Sequence, residues 1–260
     1  MNDYKIVIPA RFASSRLPGK PLIELAGKPM IQHVYERALA TSVQEIVIAT
    51  DDERIEQAAK AFGAEVVMTS PQHENGTERI AEVARIKNWP ANSVVVNLQG
   101  DEPLIPQSLI ELTAQGLIQN PEAGMSSICT PIQHDSDVFN PNVVKVVLNK
   151  QQFAMYFSRA SIPWDRDAYR SEQVQKTNKM PVYRHIGMYG YRVSFLQQYT
   201  QMEPCVLETT ESLEQLRALW YGVKIHMGIV EQAPGHGVDT LDDVMRVEQL
   251  LAHTGKVIQN

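Results

Sequence analysis

The 260-residue sequence predicts an α/β fold in three layers: a mostly parallel sheet with helices on both faces, carrying an antiparallel insertion at about 123–222. Three observations predict it. Short apolar runs alternate with helical patterns through the first half, strand-like runs follow one another without a helix between each pair from about 123, and a strand and a closing helix resume the first pattern near the end.

Residues 5–8, 45–49, 65–68 and 93–98 read as strands of the buried, β-branched type, and each precedes a stretch with helix signals. The first helix is expected from Lys28-Pro29, where proline suits the first turn, with Met30, Ile31, Val34 and Ala38 on one side. Further helices are expected near 53–62, 77–86 and 106–115. Right-handed crossovers between such parallel strands leave their connecting loops along one edge of the sheet, where α/β sheets bind ligands. Strands are then expected at 125–131, 143–148, 153–157 and 185–191, followed by a helix containing Leu213, Leu216 and Leu219, a strand at 223–230 and a helix around 242–251. Because the last strand returns to the opening type, the chain reads as one domain over 1–260 with a grafted subregion.

With 43% hydrophobic and 21% charged residues, the composition is that of a soluble globular protein, and no apolar run is long enough to span a membrane. The amino terminus lacks the basic and apolar regions of a signal peptide, so a cytoplasmic location is expected. A net charge of −6 argues against nucleic acid as a partner, so any phosphate affinity must be local. Cys129 and Cys205 have no companions at metal-ligand spacing and read as packing thiols.

That local affinity has an evident seat. The strand ending near Ile8 runs into a loop holding Arg11, Arg16 and Lys20, with Ser14, Ser15 and Gly19 between them. Three cations in one turn repel each other, and a polyanion such as a nucleoside triphosphate relieves the repulsion. A solvated surface loop is the alternative reading, disfavoured by the position at the carboxyl end of a buried strand. The loop is neither a Walker A motif nor a dinucleotide fingerprint, since Pro21 follows Gly19-Lys20 and the glycine spacing is absent, so side chains must hold the phosphates.

Two acidic sites complement the cations. Gln99-Gly100-Asp101-Glu102-Pro103 follows a buried strand and makes Asp101 a candidate metal ligand, with strand termination or turn capping as the alternative. Asp239, in a glycine-rich turn before a helix, reads by itself as an N-cap. Together the two suit magnesium, which takes oxygen ligands from one or two carboxylates plus substrate phosphates. Glu74 to Arg79 forms a turn and helix start whose N–H groups suit a base edge or sugar oxygen, or simply cap the helix.

Six blocks taken together resemble the 3-deoxy-manno-octulosonate cytidylyltransferases of bacterial lipopolysaccharide synthesis, over nearly the full chain. They are Pro9-Ala10-Arg11 through Arg16-Leu17-Pro18-Gly19-Lys20-Pro21, Asn75-Gly76-Thr77-Glu78-Arg79, Asn97 through Gln99-Gly100-Asp101-Glu102-Pro103, Tyr156-Phe157-Ser158-Arg159 with Ile162-Pro163-Trp164, Arg184-His185 with Gly187 and Tyr189, and Glu214-Gln215-Leu216-Arg217. The first block alone indicates only a sugar nucleotidyltransferase; the last two are more specific.

The resemblance implies the nucleotide-diphospho-sugar transferase type of fold and a reaction in which CTP and the acid sugar 3-deoxy-D-manno-octulosonate (Kdo) give CMP-Kdo and diphosphate. It implies that Arg11, Ser14, Arg16 and Lys20 hold the triphosphate and that Asp101 and Asp239 bind Mg2+. Ala10, Ser70, Thr77, Arg79 and Gln99 would shape the cytidine pocket, with Arg11, Lys20, Asp101 and Asp239 closest to the chemistry. Arg159, His185, Tyr189, Glu214 and Gln215 would take the sugar, although Glu211, Glu214 and Arg217 also fit a surface salt-bridge ladder. It further implies a homodimer, to which Phe157, Trp164 and Trp220-Tyr221 would contribute unless they are core. The competing readings are a cytidylyltransferase for 8-amino-Kdo or a sialic acid, and a noncatalytic nucleotide-binding regulator, which has no use for paired metal carboxylates.

Overall fold

The computed structural model describes residues 4–13, 17–170, 181–235 and 237–257; Ser14 and Arg16 lie outside the described residues. The elements in order are β1 (Tyr4–Ala10), β2 (Glu24–Leu25), β3 (Lys28–Pro29), α1 (Met30–Leu39), β4 (Glu45–Thr50), α2 (Glu53–Ala61), β5 (Glu65–Met68), α3 (Gly76–Ile86), β6 (Val94–Asn97) and α4 (Gln107–Ile118). They continue with β7 (Met125–Pro131), α5 (Asp135–Phe139), β8 (Lys145–Leu148), β9 (Ala154–Ser158), β10 (Tyr183–Arg192), α6 (Val193–Tyr199), α7 (Val206–Glu211), α8 (Gln215–Trp220), β11 (Ile225–Ile229) and α9 (Leu241–Val257).

The main sheet has the order β11-β7-β10-β6-β1-β4-β5, with β8 and β9 attached beside β10. β6, β1, β4 and β5 pair in parallel, as do β11 and β7, whereas β10 runs antiparallel to both of its neighbours. The region expected as an antiparallel insertion therefore supplies two strands of the main sheet, and only β8 and β9 stand apart from its path.

Three layers follow from alternation along the strands. Tyr4, Ile6, Ile8 and Ala10 of β1 enter one core with Ile31 and Val34 of α1, Ile55 of α2 and Ile110 of α4, while Val7 enters the opposite core with Ile80 of α3, Leu196 of α6 and Leu216 of α8. Successive strand side chains point to opposite faces, so a strand buried on both is apolar through its middle, as Ile6-Val7-Ile8 of β1 are.

Some local expectations shift. Lys28 and Pro29 do not open α1; they pair with Leu25 and Glu24 in a hairpin whose turn is Ala26 and Gly27, both at positive φ. The apolar face of α1 is the expected one, with Met30, Ile31, Val34 and Ala38 buried. Helices α5, α6 and α7 carried no readable periodicity because each is seven residues or shorter. Cys129 is a packing thiol, fully buried, but Cys205 does more: its Sγ accepts from the Glu208 N–H and Glu208 accepts from the Cys205 N–H, a capping box for α7. Phe157 is core, whereas Trp164, Trp220 and Tyr221 are exposed.

Candidate active site

Three loops meet at the carboxyl ends of β1 and β6. The first leaves β1 and turns at Gly19, whose positive φ and 3.0 Å clearance from the Phe12 ring admit no side chain, and delivers Lys20 into a short 3-10 turn. The second follows β6, where a Cβ on Gly100 would lie 3.1 Å from the Pro9 carbonyl, so the Asp101 turn packs directly on the end of β1. The third precedes α9: the Val238 N–H donates to the Asp101 carbonyl at 2.9 Å, and Gly237 lies so close that a Cβ there would be 2.9 Å from Glu102 Oε1.

Lys20 is the hub of this junction. Its Nζ lies 2.6 Å from Asp101 Oδ2 and 3.2 Å from Asp239 Oδ1, and donates to the Val238 carbonyl at 2.9 Å. The expected convergence of cation and carboxylates is therefore present. Thr240, not Asp239, caps α9: its Oγ1 accepts from the Asp243 N–H, and Asp243 accepts from the Thr240 N–H and hydroxyl. That arrangement leaves the Asp239 carboxylate facing Lys20. Glu102 is half-buried behind the pair, and desolvation together with Asp101 and Asp239 pushes its carboxyl up to about 7.

A cleft of about 450 Å³ opens beside the hub. Of the residues expected from sequence, Ala10, Arg11, Lys20, Thr77, Gln99, Asp101, Tyr189, Glu214 and Asp239 line it. Asn97 and Tyr191 line it as well, although sequence reasoning assigned them nothing; a polar Asn ending the apolar run of β6 was the available signal. Asn75 caps α3 by accepting from the Glu78 N–H at 2.9 Å, while Gly76 and Thr77 face the cleft, so capping and ligand-facing roles coexist in one turn. Thr77 Oγ1 and the Tyr191 hydroxyl are 3.1 Å apart.

Other expected nucleotide residues stand behind this wall. Arg79 is fully buried, pairs with Asp51 at 2.7 Å and donates to the Thr69 hydroxyl. Burial, reinforced by Arg79, lowers the Arg11 guanidinium pKa, and Arg11 donates to the His73 carbonyl. Ser70 donates its N–H to Glu82 at 2.8 Å, and His73 Nε2 lies 2.6 Å from the same carboxylate oxygen, which ties the loop ahead of α3 to that helix.

On the opposite side of the cleft the network is aromatic and acidic. The Tyr199 hydroxyl donates to Glu214 at 2.7 Å and the Tyr189 hydroxyl donates to Gln215 at 3.1 Å; burial raises both phenols, so they remain protonated donors. The ladder reading of α8 does not hold, because Arg217 forms a bidentate pair with Glu208 at 2.6 and 2.7 Å, and Glu211 accepts from Ser158 and from the Arg159 N–H. Arg159 itself is spent on main chain, donating to the carbonyls of Glu211, Pro141 and Ser212. His185 is half-buried with Nε2 2.9 Å from Ser127 Oγ, and burial holds its pKa down to about 3, so the ring is neutral.

Among the described residues no cluster of three or more His, Cys, Asp or Glu side chains surrounds a metal position. Two carboxylates converging on one cationic centre nevertheless match the donor set of a magnesium site completed by phosphate and water. The arrangement as a whole offers cations for a polyphosphate at one end and neutral hydroxyls, amides and a carboxylate for a polyhydroxylated ligand at the other.

A family profile described as cytidylyltransferase matches residues 5–225. The 3-deoxy-manno-octulosonate cytidylyltransferase of Thioalkalivibrio sulfidiphilus is 53% identical over 249 residues, 96% of this chain and 99% of that protein. Its counterpart in Aliivibrio fischeri is 51% identical over 250 residues, 96% of this chain and 99% of that protein. Among solved structures, CMP:2-keto-3-deoxy-manno-octonic acid synthetase complexed with CTP superposes with a TM-score of 0.87 at 44% identity, covering 97% of this chain and 99% of the other. A cytidylyltransferase from Leptospira borgpetersenii, at 17% identity and a TM-score of 0.59, shares the fold over 100% of this chain and 98% of its own. With its cationic loop, paired aspartates and hydroxyl-rich wall gathered at one cleft, the chain belongs to the cytidylyltransferase family and, within it, to the 3-deoxy-manno-octulosonate cytidylyltransferases, which are nucleotidyltransferases.

Proposed function

We propose that this enzyme converts CTP and Kdo to CMP-Kdo and diphosphate for lipopolysaccharide biosynthesis. The observation that carries the site assignment is Lys20 bridging Asp101 and Asp239 on the cleft wall. In this reading the anomeric hydroxyl of Kdo attacks the α-phosphorus of CTP in line, forming the new P–O bond as the bond to the bridging oxygen of diphosphate breaks. Arg11 and Lys20, with Ser14 and Arg16, hold the triphosphate and offset charge on the departing diphosphate. Ala10, Thr77 and Gln99 contact the cytidine, while Ser70 and Arg79 act from behind by fixing the loop and helix start that carry Thr77.

Asp101 and Asp239 supply the oxygen donors for Mg2+, which when bound polarises phosphoryl oxygens and lowers the pKa of a hydroxyl coordinated to it. Tyr189, Glu214 and Gln215 orient the sugar, with His185 beside Tyr189. Arg159 supports this wall through the carbonyls it anchors. A cytoplasmic homodimer is part of the same proposal, and the exposed Trp220 and Tyr221 support a protein contact there.

Diphosphate release from CTP, Mg2+ and Kdo tests the function directly. Release dependent on Kdo, with CMP-Kdo recovered, is the expected result. Release with a sialic acid or 8-amino-Kdo in preference to Kdo would move the assignment to the neighbouring acid sugar, and tight CTP binding without turnover would favour a regulator. Light scattering at micromolar concentration should give twice the monomer mass.

A further inference from the structure

The Ser127 hydroxyl of β7, 1% exposed, has three polar neighbours at hydrogen-bond distance: the Met188 carbonyl at 2.7 Å, the Ile186 carbonyl at 3.1 Å and His185 Nε2 at 2.9 Å. A hydroxyl owns one proton and two lone pairs, and carbonyl oxygens only accept. Were the proton given to His185, two carbonyl oxygens would face the hydroxyl lone pairs with nothing between them. The proton therefore goes to the carbonyl side, where Met188 offers the shorter contact, and the remaining contact is made by an N–H on His185 Nε2.

The unusual pair of carbonyls has a structural source. β10 shifts register against β7 between Ile186 and Tyr189, and this bulge brings the carbonyls of both Ile186 and Met188 to the same serine. The bulge is tied to the cleft, because Gln99 Nε2 donates to the Gly187 carbonyl at 3.2 Å. His185 is also held by rings: Phe157 meets it edge-on at 4.8 Å and Tyr189, on the cleft wall, lies tilted at 5.5 Å.

We infer that Ser127 is a positioning residue that fixes the hydrogen of His185 on Nε2, leaving Nδ1 to accept a hydrogen bond from a sugar hydroxyl. Desolvation of the half-buried ring holds its pKa down to about 3, which agrees with a neutral imidazole. The tautomer stands on this geometry alone; its use toward a sugar rests on the function proposed above. It makes the His185 position selective: a hydroxyl donor is accepted, whereas a carboxylate or carbonyl there would set acceptor against acceptor.

Nitrogen NMR on the full-length protein with 15N-labelled histidine, without substrate, reads the tautomer. The His185 signals, assigned by their loss in His185→Gln, should show a protonated Nε2 and a bare Nδ1 at both pH 6 and pH 7.5; a protonated Nδ1 or a charged ring at pH 6 would overturn the inference. In Ser127→Ala the tautomer preference should weaken and the KM for Kdo rise about tenfold with the KM for CTP unchanged, and Ser127→Thr should restore both, as expected for one misdirected hydrogen bond. An unchanged KM for Kdo in Ser127→Ala would remove the positioning role. A wild-type enzyme that ignored Kdo would instead strike the proposed sugar, while the nitrogen spectra still decided the tautomer.

Discussion

The two walls of the cleft are built by different means. On the side proposed for the nucleotide, the polar groups sit in loops at the carboxyl ends of parallel strands, and each loop is set by main-chain contacts: Gly19 on Phe12, Gly100 on Pro9, Val238 on Asp101. On the side proposed for the sugar the groups lie on β10 and at the start of α8 and are aimed by side chains behind them: Tyr199 on Glu214, Arg217 on Glu208, Ser127 on His185. The difference teaches that a charged loop can be aimed by backbone shape alone, whereas neutral groups that must read a polyhydroxylated ligand need a supporting layer of hydrogen bonds.

Asp101→Asn is the harshest way to break the nucleotide wall. Turnover should fall about 10²–10³-fold with the circular dichroism spectrum retained, as for loss of one electrostatic contact to the reacting phosphate; a loss below about tenfold would remove Asp101 from the chemistry. Glu208→Ala attacks the sugar wall from behind, leaving buried Arg217 without its carboxylate. Urea unfolding should show a loss of about 3 kcal/mol, and in the fraction still folded the KM for Kdo should rise while that for CTP stays. Tyr199→Phe is gentler, deleting one hydrogen bond to Glu214 and keeping the ring. A cost of about 1 kcal/mol is expected, seen as roughly a fivefold rise in the KM for Kdo, and an equal rise for CTP would mean the two walls are not independent.

A titration sharpens the comparison through pH, its effect growing from nothing at neutral pH. Unfolded, the His185 imidazole takes up a proton as pH falls through about 6.5; folded, it resists until about 3. The unfolded chain therefore binds more protons across that window, and acidification destabilises the fold by up to about 1.4 kcal/mol per pH unit from this group. Urea midpoints of wild type and His185→Gln should converge toward acid in proportion; parallel curves from pH 7 to pH 4.5 would show that the ring titrates normally.

Much of the nucleotide wall was legible because its signals are local. Arg11 and Lys20 crowd one turn after a buried strand, and Asp101 follows another, so charge and periodicity in short windows suffice. The sugar wall was legible only through resemblance. Glu214 and Arg217 have the spacing of a helical ion pair, yet Arg217 turns to Glu208 because α7 packs beside α8. Arg159 looked like a cation for the sugar carboxylate, but three main-chain carbonyls use its donors. Short helices and a bulge in β10 left no periodic trace.

By itself, then, the amino-acid sequence determined the alternation of buried strands and amphipathic helices, the absence of a long apolar span and the placing of cations and carboxylates at strand ends. Only the tertiary structure decided that Lys20 meets Asp239 across 219 positions, that Thr240 takes the cap and so leaves Asp239 to the cleft, and that β10 runs antiparallel between parallel neighbours. The reason is physical: side-chain periodicity and local charge act within a few residues, whereas strand order and the contacts it creates depend on burying the whole sheet at once.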